Sequence, residues 1–331
     1  MAEWLYEAGI GENRAALVDA GRILEMQIER DDGPGLRAGA VCRARLTRKA
    51  DGSGRGLVAL EGGVAAQLQP VPAGLTEGSA LMVEVIREAL REGAMIKPLR
   101  VRAAAADAQP AEGPDLRARL ATAESAMRLC RPGELDDYGW SEALEQAALG
   151  VVTTMDVQLH IALTPAMTLI DVDGAGAPAD VAIAGARAAG LAIRRFGIQG
   201  SIGIDLPTVA DKAGRQAAAA ALDAVLPQPF ERTAVNGFGF LQIVRRRERA
   251  SLIETVQADP VLTAALGVLR QAERTQGHGA VTLQAHPAVI AWISARPDWT
   301  DRLARSIGAP VALRPDERLA ISAGHASRAQ I

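Results

Sequence analysis

Apolar and polar positions alternate with a period of two through the opening of the chain. Arg14-Ala-Ala-Leu-Val18 runs into the turn signal Asp19-Ala-Gly21 and out again through Arg22-Ile-Leu-Glu-Met-Gln-Ile28, so residues 2–30 read as strands joined by tight turns. Asp31-Asp-Gly-Pro-Gly35 breaks the pattern. Short apolar strands follow at Ala40–Leu46, Gly56–Leu60, Val64–Leu68 and Ala80–Ile86, separated by Gly, Pro or Asp-Gly-Ser-Gly clusters. That spacing predicts a small β-barrel over residues 34–103.

An Ala-rich stretch with Pro110 and Pro114 reads as a linker over 104–114, and after it the period becomes helical. Helices are predicted at Asp115–Met127 and Ser141–Leu149, then strands at Asp156–Leu163 and Met167–Val172. A helix over 179–195 leads to a strand at Ser201–Ile204, a helix over 209–225, a strand at 232–235 and an apolar run through Ile243. The order β-β-α-β-α-β predicts an α/β sheet with chemistry at its strand ends. The tail reads as helices near 260–274 and 287–306 with a strand at Ala280–Gln284. The expected organisation is therefore residues 1–33 as strands pairing with the core, 34–103 as the barrel, 104–114 as the linker, and 115–331 as the α/β core with its helical tail.

Composition narrows this picture. Hydrophobic residues make up 49% of the chain but aromatics only 3%, so the cores must be built from Ala, Leu, Val and Ile. The net charge of −3 means that any contact with nucleic acid is a local patch. Cys42 and Cys130 lie far apart and give neither a disulfide framework nor a metal motif. Met1–Arg14 carries Glu3, Glu7 and Glu12 in place of an apolar signal core, and no run approaches the length of a membrane span, so a cytoplasmic protein without membrane contact is expected.

Two segments carry candidate chemistry. In Met167-Thr-Leu-Ile-Asp171-Val-Asp173 and in Gly200-Ser-Ile-Gly-Ile-Asp205, an apolar strand delivers a carboxylate where the chain is expected to turn. Mg²⁺ takes one or two carboxylates and keeps several waters, and such a cation stabilises charge on a phosphodiester. On a continuing strand Asp173 faces the same side as Asp171. An Asp at a strand end is also a common turn former or helix N-cap, and periodicity alone leaves both readings open.

Asn13-Arg-Ala-Ala-Leu-Val-Asp-Ala-Gly-Arg-Ile-Leu-Glu-Met-Gln-Ile-Glu29 resembles the opening hairpin of the ribonuclease E/G family. The barrel is placed like that family's inserted S1 domain. Ala166-Met-Thr-Leu-Ile-Asp-Val-Asp173 and Ile198-Gln-Gly-Ser-Ile-Gly-Ile-Asp205 resemble its two catalytic strands, and Arg232–Arg247 resembles the strand that follows. The matches come in the family's order and run to about residue 255. The resemblance implies an RNase H-like/DNase I-like α/β catalytic core with an inserted S1-like (OB-type) barrel. It implies a Mg²⁺-dependent endoribonuclease (Mn²⁺ serving as well) that cleaves single-stranded RNA and leaves 5′-phosphates, with Asp171 and Asp205 as catalytic metal ligands. The family's Asn falls on Asp173, which adds a third carboxylate. Its 5′-sensor subdomain and its zinc-link cysteines are absent, so no zinc is expected and any homodimer is not zinc-bridged.

The means of holding RNA are less developed. Residues 34–103 contain no aromatic residue, although single strands are commonly held by aromatic stacking in a basic groove. They carry eleven Arg or Lys against six Asp or Glu, with Arg43, Arg45, Arg48, Lys49 and Arg55 clustered, and this admits an electrostatic track or merely a solvated basic face. Arg232 and the run Arg245, Arg246 and Arg247 are further candidates for phosphate contact, or else a charged surface. His160, alternating with apolar neighbours, reads as structural. His278, His286 and His325 lack metal-ligand spacing, and Gly9-Ile-Gly11 lacks the strand–helix context of a phosphate loop. A non-catalytic RNA-binding protein of the same descent, or a structural partner that no longer binds RNA, are the alternative readings.

Overall fold

The computed structural model describes all residues except 32, 34, 50, 51, 53, 93, 94 and 329–331. Parts of the expected breaks at 31–35 and 51–54 therefore lie outside the described residues. The chain opens with β1 (Glu3–Ala8), β2 (Glu12–Asp19) and β3 (Arg22–Arg30). The β2–β3 turn works because Ala20 and Gly21 both take positive φ, 47° and 74°, the twist that matches a tight hairpin. Then come β4 (Val41–Lys49), β5 (Gly56–Leu60), β6 (Ala65–Leu68), β7 (Ala80–Arg87), β8 (Leu90–Glu92), β9 (Met95–Lys97) and β10 (Leu99–Ala103). Five of these close in the order β10-β6-β5-β4-β7, with β8–β9 as a separate hairpin. The barrel interior is aliphatic, as the composition requires: Leu46, Val58, Leu68, Val83, Leu99 and Val101 are among its buried side chains. The linker is tied to the barrel, since Ala111 and Val41 exchange two backbone hydrogen bonds of 2.9 Å.

The remaining elements are α1 (Leu116–Ala121), β11 (Met127–Leu129), α2 (Trp140–Leu149), β12 (Val151–Thr153), β13 (Val157–Leu163), β14 (Thr168–Gly174), α3 (Pro178–Arg195), β15 (Gly200–Asp205) and α4 (Lys212–Asp223). After them come β16 (Glu231–Arg232), β17 (Phe240–Arg245), α5 (Leu252–Ala258), α6 (Pro260–Arg274), β18 (Val281–Ala285), α7 (Pro287–Ser294), α8 (Pro297–Ile307), β19 (Val311–Pro315) and β20 (His325–Arg328). The fold is thus mixed α/β with a closed five-stranded barrel. The expected helix at 115–127 stops at Ala121, because Met127–Leu129 instead extends the N-terminal sheet beside β1. The expected helix at 287–306 is two helices. Pro297 starts α8, and Arg296 before it takes φ −129°, ψ 72°, outside the helical region as a residue preceding proline does.

The central sheet runs β12-β13-β14-β15-β17-β16, with β14 and β15 its parallel pair joined through α3. One face is buried: Leu159, Ile170, Val172, Ile202, Ile204 and Ile243 share a core with α3, α4 and the inner face of the N-terminal sheet. Gly185 lets α3 press onto this face, since a Cβ there would stand 2.3 Å from Val172 Cγ1. The outer face of the N-terminal sheet (Trp4, Tyr6, Leu17) is covered by Leu116 and Leu120 of α1. The alternate positions of the central sheet form its other, open face.

The tail is a second small α/β unit in which β18, flanked by β19 and β20, packs against α6–α8. The β1–β2 turn plugs into it. Ile10 is buried in the tail's core, and Arg302 Nη2 donates to the Gly9 carbonyl at 3.0 Å. At Gly11 (φ 75°) a Cβ would lie 2.6 Å from Trp299 Cζ2 and 2.7 Å from Leu266 Cδ2, whereas Gly21 (φ 74°) has open space. Gly11→Ala is therefore expected to lose about 2–4 kcal/mol from combined backbone strain and overpacking. Gly21→Ala should lose only the strain component, about 1–2 kcal/mol. Equal urea midpoints for the two variants would show that the turn does not plug the tail.

Candidate active site

Four residues on four adjacent strands line up across the open face. His160 of β13 is the register partner of Asp171 on β14, Asp171 of Asp205 on β15, and Asp205 of Phe240 on β17. The side-chain parity follows from the strands. Ile170 and Val172 flank Asp171, Ile204 precedes Asp205, Leu159 and Ile161 flank His160, and these apolar neighbours are all buried on the other side. Apolar alternation thus fixes the sheet on its helices and, by the two-residue period, sends this row outward. Adjacent strands are about 4.8 Å apart, which sets the spacing of the two carboxylate-bearing backbones. Both carboxylates are exposed.

Asp205 ends its strand as expected, but β14 continues past Asp171 to Gly174. That continuation puts Asp173 on the open face, where its Oδ2 lies 3.7 Å from His160 Nε2. The alternation around His160 is real. Its ring, however, is 48% exposed and lies on the Asp173 side of the sheet, not in the core.

Phe240 is held beside Asp205 by the absence of a side chain at Gly203, where a Cβ would meet Phe240 Cζ at 2.6 Å. The loop before it is firmly built. Asn236 Oδ1 accepts from the backbone N–H of Phe238 (2.9 Å) and of Phe240 (3.0 Å), and Thr208 Oγ1 donates to the Phe238 carbonyl at 3.2 Å. Gly239 (φ 93°) is required here, since a Cβ would sit 2.0 Å from the Leu206 carbonyl oxygen. Phe238 is nonetheless 84% exposed. A hydrogen-bonded loop thus presents a bare aromatic ring next to the strand end that carries Asp205. Two of the chain's four phenylalanines sit here, a concentration visible in the sequence once the strand is placed.

The basic candidates are scattered. Arg43, Arg45, Arg48, Lys49 and Arg55 are all exposed on the barrel, and Arg45 Nη1 donates to the Gly78 carbonyl at 2.6 Å. Arg232 is not brought to the carboxylates. It pairs in register with Ile243 and so shares the helix-covered face, where its guanidinium grips Asp223 with Nε–Oδ1 at 2.7 Å. Arg245 has the same parity and donates to the Ile198 carbonyl at 3.0 Å, and burial draws its pKa down. Arg246 is exposed beside Glu248, and Arg247 pairs with Glu254.

Asp171 and Asp205 have no side-chain hydrogen bond or ion pair among the described residues. Two unengaged carboxylates in register suit Mg²⁺ or Mn²⁺, which water and substrate oxygens complete. Among the described residues no group of three or more His, Cys, Asp or Glu converges on one point. Burial pushes the thiols of Cys42 and Cys130 up, that of Cys130 to about 11, so both stay protonated near neutral pH. Among the described residues no single helix is long and apolar enough to cross a membrane. No protein-family model matches the chain, and no curated protein matches it either.

Proposed function

We propose that the chain is a metal-dependent endoribonuclease of the cytoplasm that cuts single-stranded RNA and leaves 5′-phosphates. Its α/β core is read as RNase H-like or DNase I-like, its barrel as S1-like, and its descent as that of the ribonuclease E/G family. The observation that carries this reading is the row His160–Asp171–Asp205–Phe240 across an otherwise open sheet face. Mg²⁺ or Mn²⁺ bound by Asp171 and Asp205 would stabilise charge developing on the phosphodiester and make an attacking water more acidic. Asp173 adds negative charge on the same face, two residues further along the strand. His160 presents an imidazole that can exchange a proton beside Asp171. Cleavage breaks the P–O3′ bond, water supplies the oxygen that stays on the 5′-phosphate, and the 3′ oxygen leaves with a proton. Phe238 offers a stacking face for an unpaired base next to the cut.

The deciding experiment incubates the full chain with labelled single-stranded RNA, with Mg²⁺ or with chelator. Cleavage that requires the metal supports the proposal, and a gel shift without cleavage replaces it with an RNA-binding role. Phe238→Ala is expected to remove about 1–3 kcal/mol of base stacking, seen as a KM raised roughly five- to 150-fold with kcat little changed. An unchanged KM would remove the ring from the site.

A further inference from the structure

A cleft of about 470 Å³ opens where the β8–β9 hairpin of the barrel meets the other end of the catalytic strands. Its walls include Arg91 and Lys97 from the two hairpin strands, Arg247 from beyond β17, Thr164 from the β13–β14 turn, and Gln199 and Ser201 at the start of β15. Among the described lining residues three cations, Arg91, Lys97 and Arg247, face one carboxylate, Glu254. That carboxylate is already engaged: one oxygen takes Arg247, and the other accepts the Ser251 backbone N–H at 2.8 Å. The Gln199 Oε1 accepts the Glu248 backbone N–H at 2.9 Å, which leaves its NH₂ to donate. The described lining is therefore rich in donors and holds more cations than carboxylates, the chemistry that takes a phosphate.

The cleft also has a fixed relation to the carboxylates. It touches β14 at Thr168 and β15 at Ser201, while Asp171 and Asp205 lie three and four residues further along the same strands. At about 3.3 Å per residue that is a separation of roughly 10–13 Å.

We infer that this cleft anchors a backbone phosphate of the RNA strand a short distance along the chain from the scissile bond, with Arg91 and Lys97 as positioning residues. The inference rests on the single-stranded RNA reading above for the identity of its ligand. It gives the barrel a role in binding through its hairpin, independent of the exposed basic residues on β4.

Fluorescence anisotropy with labelled single-stranded RNA in chelator, over a salt series, tests it on the full chain. The double variant Arg91→Ala/Lys97→Ala should bind roughly tenfold or more weakly, and its log–log salt slope should fall by about 1.4, or 0.7 for each lost phosphate contact. Arg91→Lys/Lys97→Arg should keep both affinity and slope. An unchanged affinity and slope in the alanine pair overturns the inference, as does equal loss in the charge-conserving pair. Inorganic phosphate that competes as strongly as RNA would show a small-anion site and overturn it too. Binding that depends on the two hairpin cations in a wild-type protein that never cleaves supports the cleft and removes only the nuclease reading.

Discussion

Asp205→Asn is expected to reduce Mg²⁺-dependent RNA cleavage by at least ~10²-fold while leaving the fold intact. The carboxylate is exposed, and no side-chain hydrogen bond or ion pair among the described residues holds it, so its loss removes no stabilising contact. A surface change of that kind moves stability by about ±0.5 kcal/mol. Asn keeps the shape of the side chain but surrenders the charge that a hard cation seeks. Asp171→Asn should behave alike, because the two residues are register partners on parallel strands. Neither carboxylate can stand in for the other when one cation needs both. Asp180→Asn, on the helix layer, is the matched control and should cleave as the wild type does. The measurement is single-turnover cleavage across a Mg²⁺ titration, beside urea unfolding of each variant. Wild-type cleavage by Asp205→Asn at low Mg²⁺ would sink the proposed site.

The parts of this site legible in the sequence were those that a single strand determines. The alternation in Thr168–Gly174 and Gly200–Asp205 is enough to send Asp171, Asp173 and Asp205 away from their apolar neighbours. The barrel was legible for the same reason, because Gly and Pro clusters punctuate strands whose interior positions are aliphatic. What a single strand cannot carry is pairing between strands. That Asp171 lies beside Asp205 depends on the α3 crossover, which Gly185 seats against Val172. The phase of Val157–Leu163 sets His160 opposite Leu159 and Ile161 but does not say which face the helices cover, and so the ring read as structural. Arg232 and Arg245 illustrate the converse. They are adjacent to the site in sequence, yet their parity with Ile243 turns them to the helix side. Strands β19 and β20 escaped because they are short and only Val311, Leu313 and Ala326 in them pack against the tail's core, too few apolar positions to mark a strand.

The largest stability effect is expected at Glu12, a residue whose neighbours come from the far end of the chain. Its side chain is 4% exposed and lies between Arg30, with Nε–Oε2 at 3.3 Å, and Arg270 of α6. Arg30 in turn donates to the Thr255 carbonyl at 3.1 Å and to Thr263 Oγ1 at 2.8 Å, and beside it Arg14 pairs with Glu7 at 2.8 Å. These buried charges clamp the N-terminal hairpin to α5 and α6. Glu12→Gln leaves two buried guanidinium groups short of a counter-charge and should cost about 3–5 kcal/mol near neutral pH. Burial pushes the Glu12 carboxyl up, but Arg270, Arg30 and Arg14 outweigh it and hold the group below its ordinary value of 4.5. A depressed carboxyl contributes stability that is present above the unfolded-state pKa and is lost as pH falls through the folded one. Glu7 and Glu273 are raised by burial and carry the opposite sign, yet they remain in both proteins and largely cancel in the comparison. The wild-type advantage over Glu12→Gln in urea unfolding should therefore be full near neutral pH and shrink progressively below about pH 4.5. A difference that stays constant with pH would mean that the side chain matters for its packing and not for its charge.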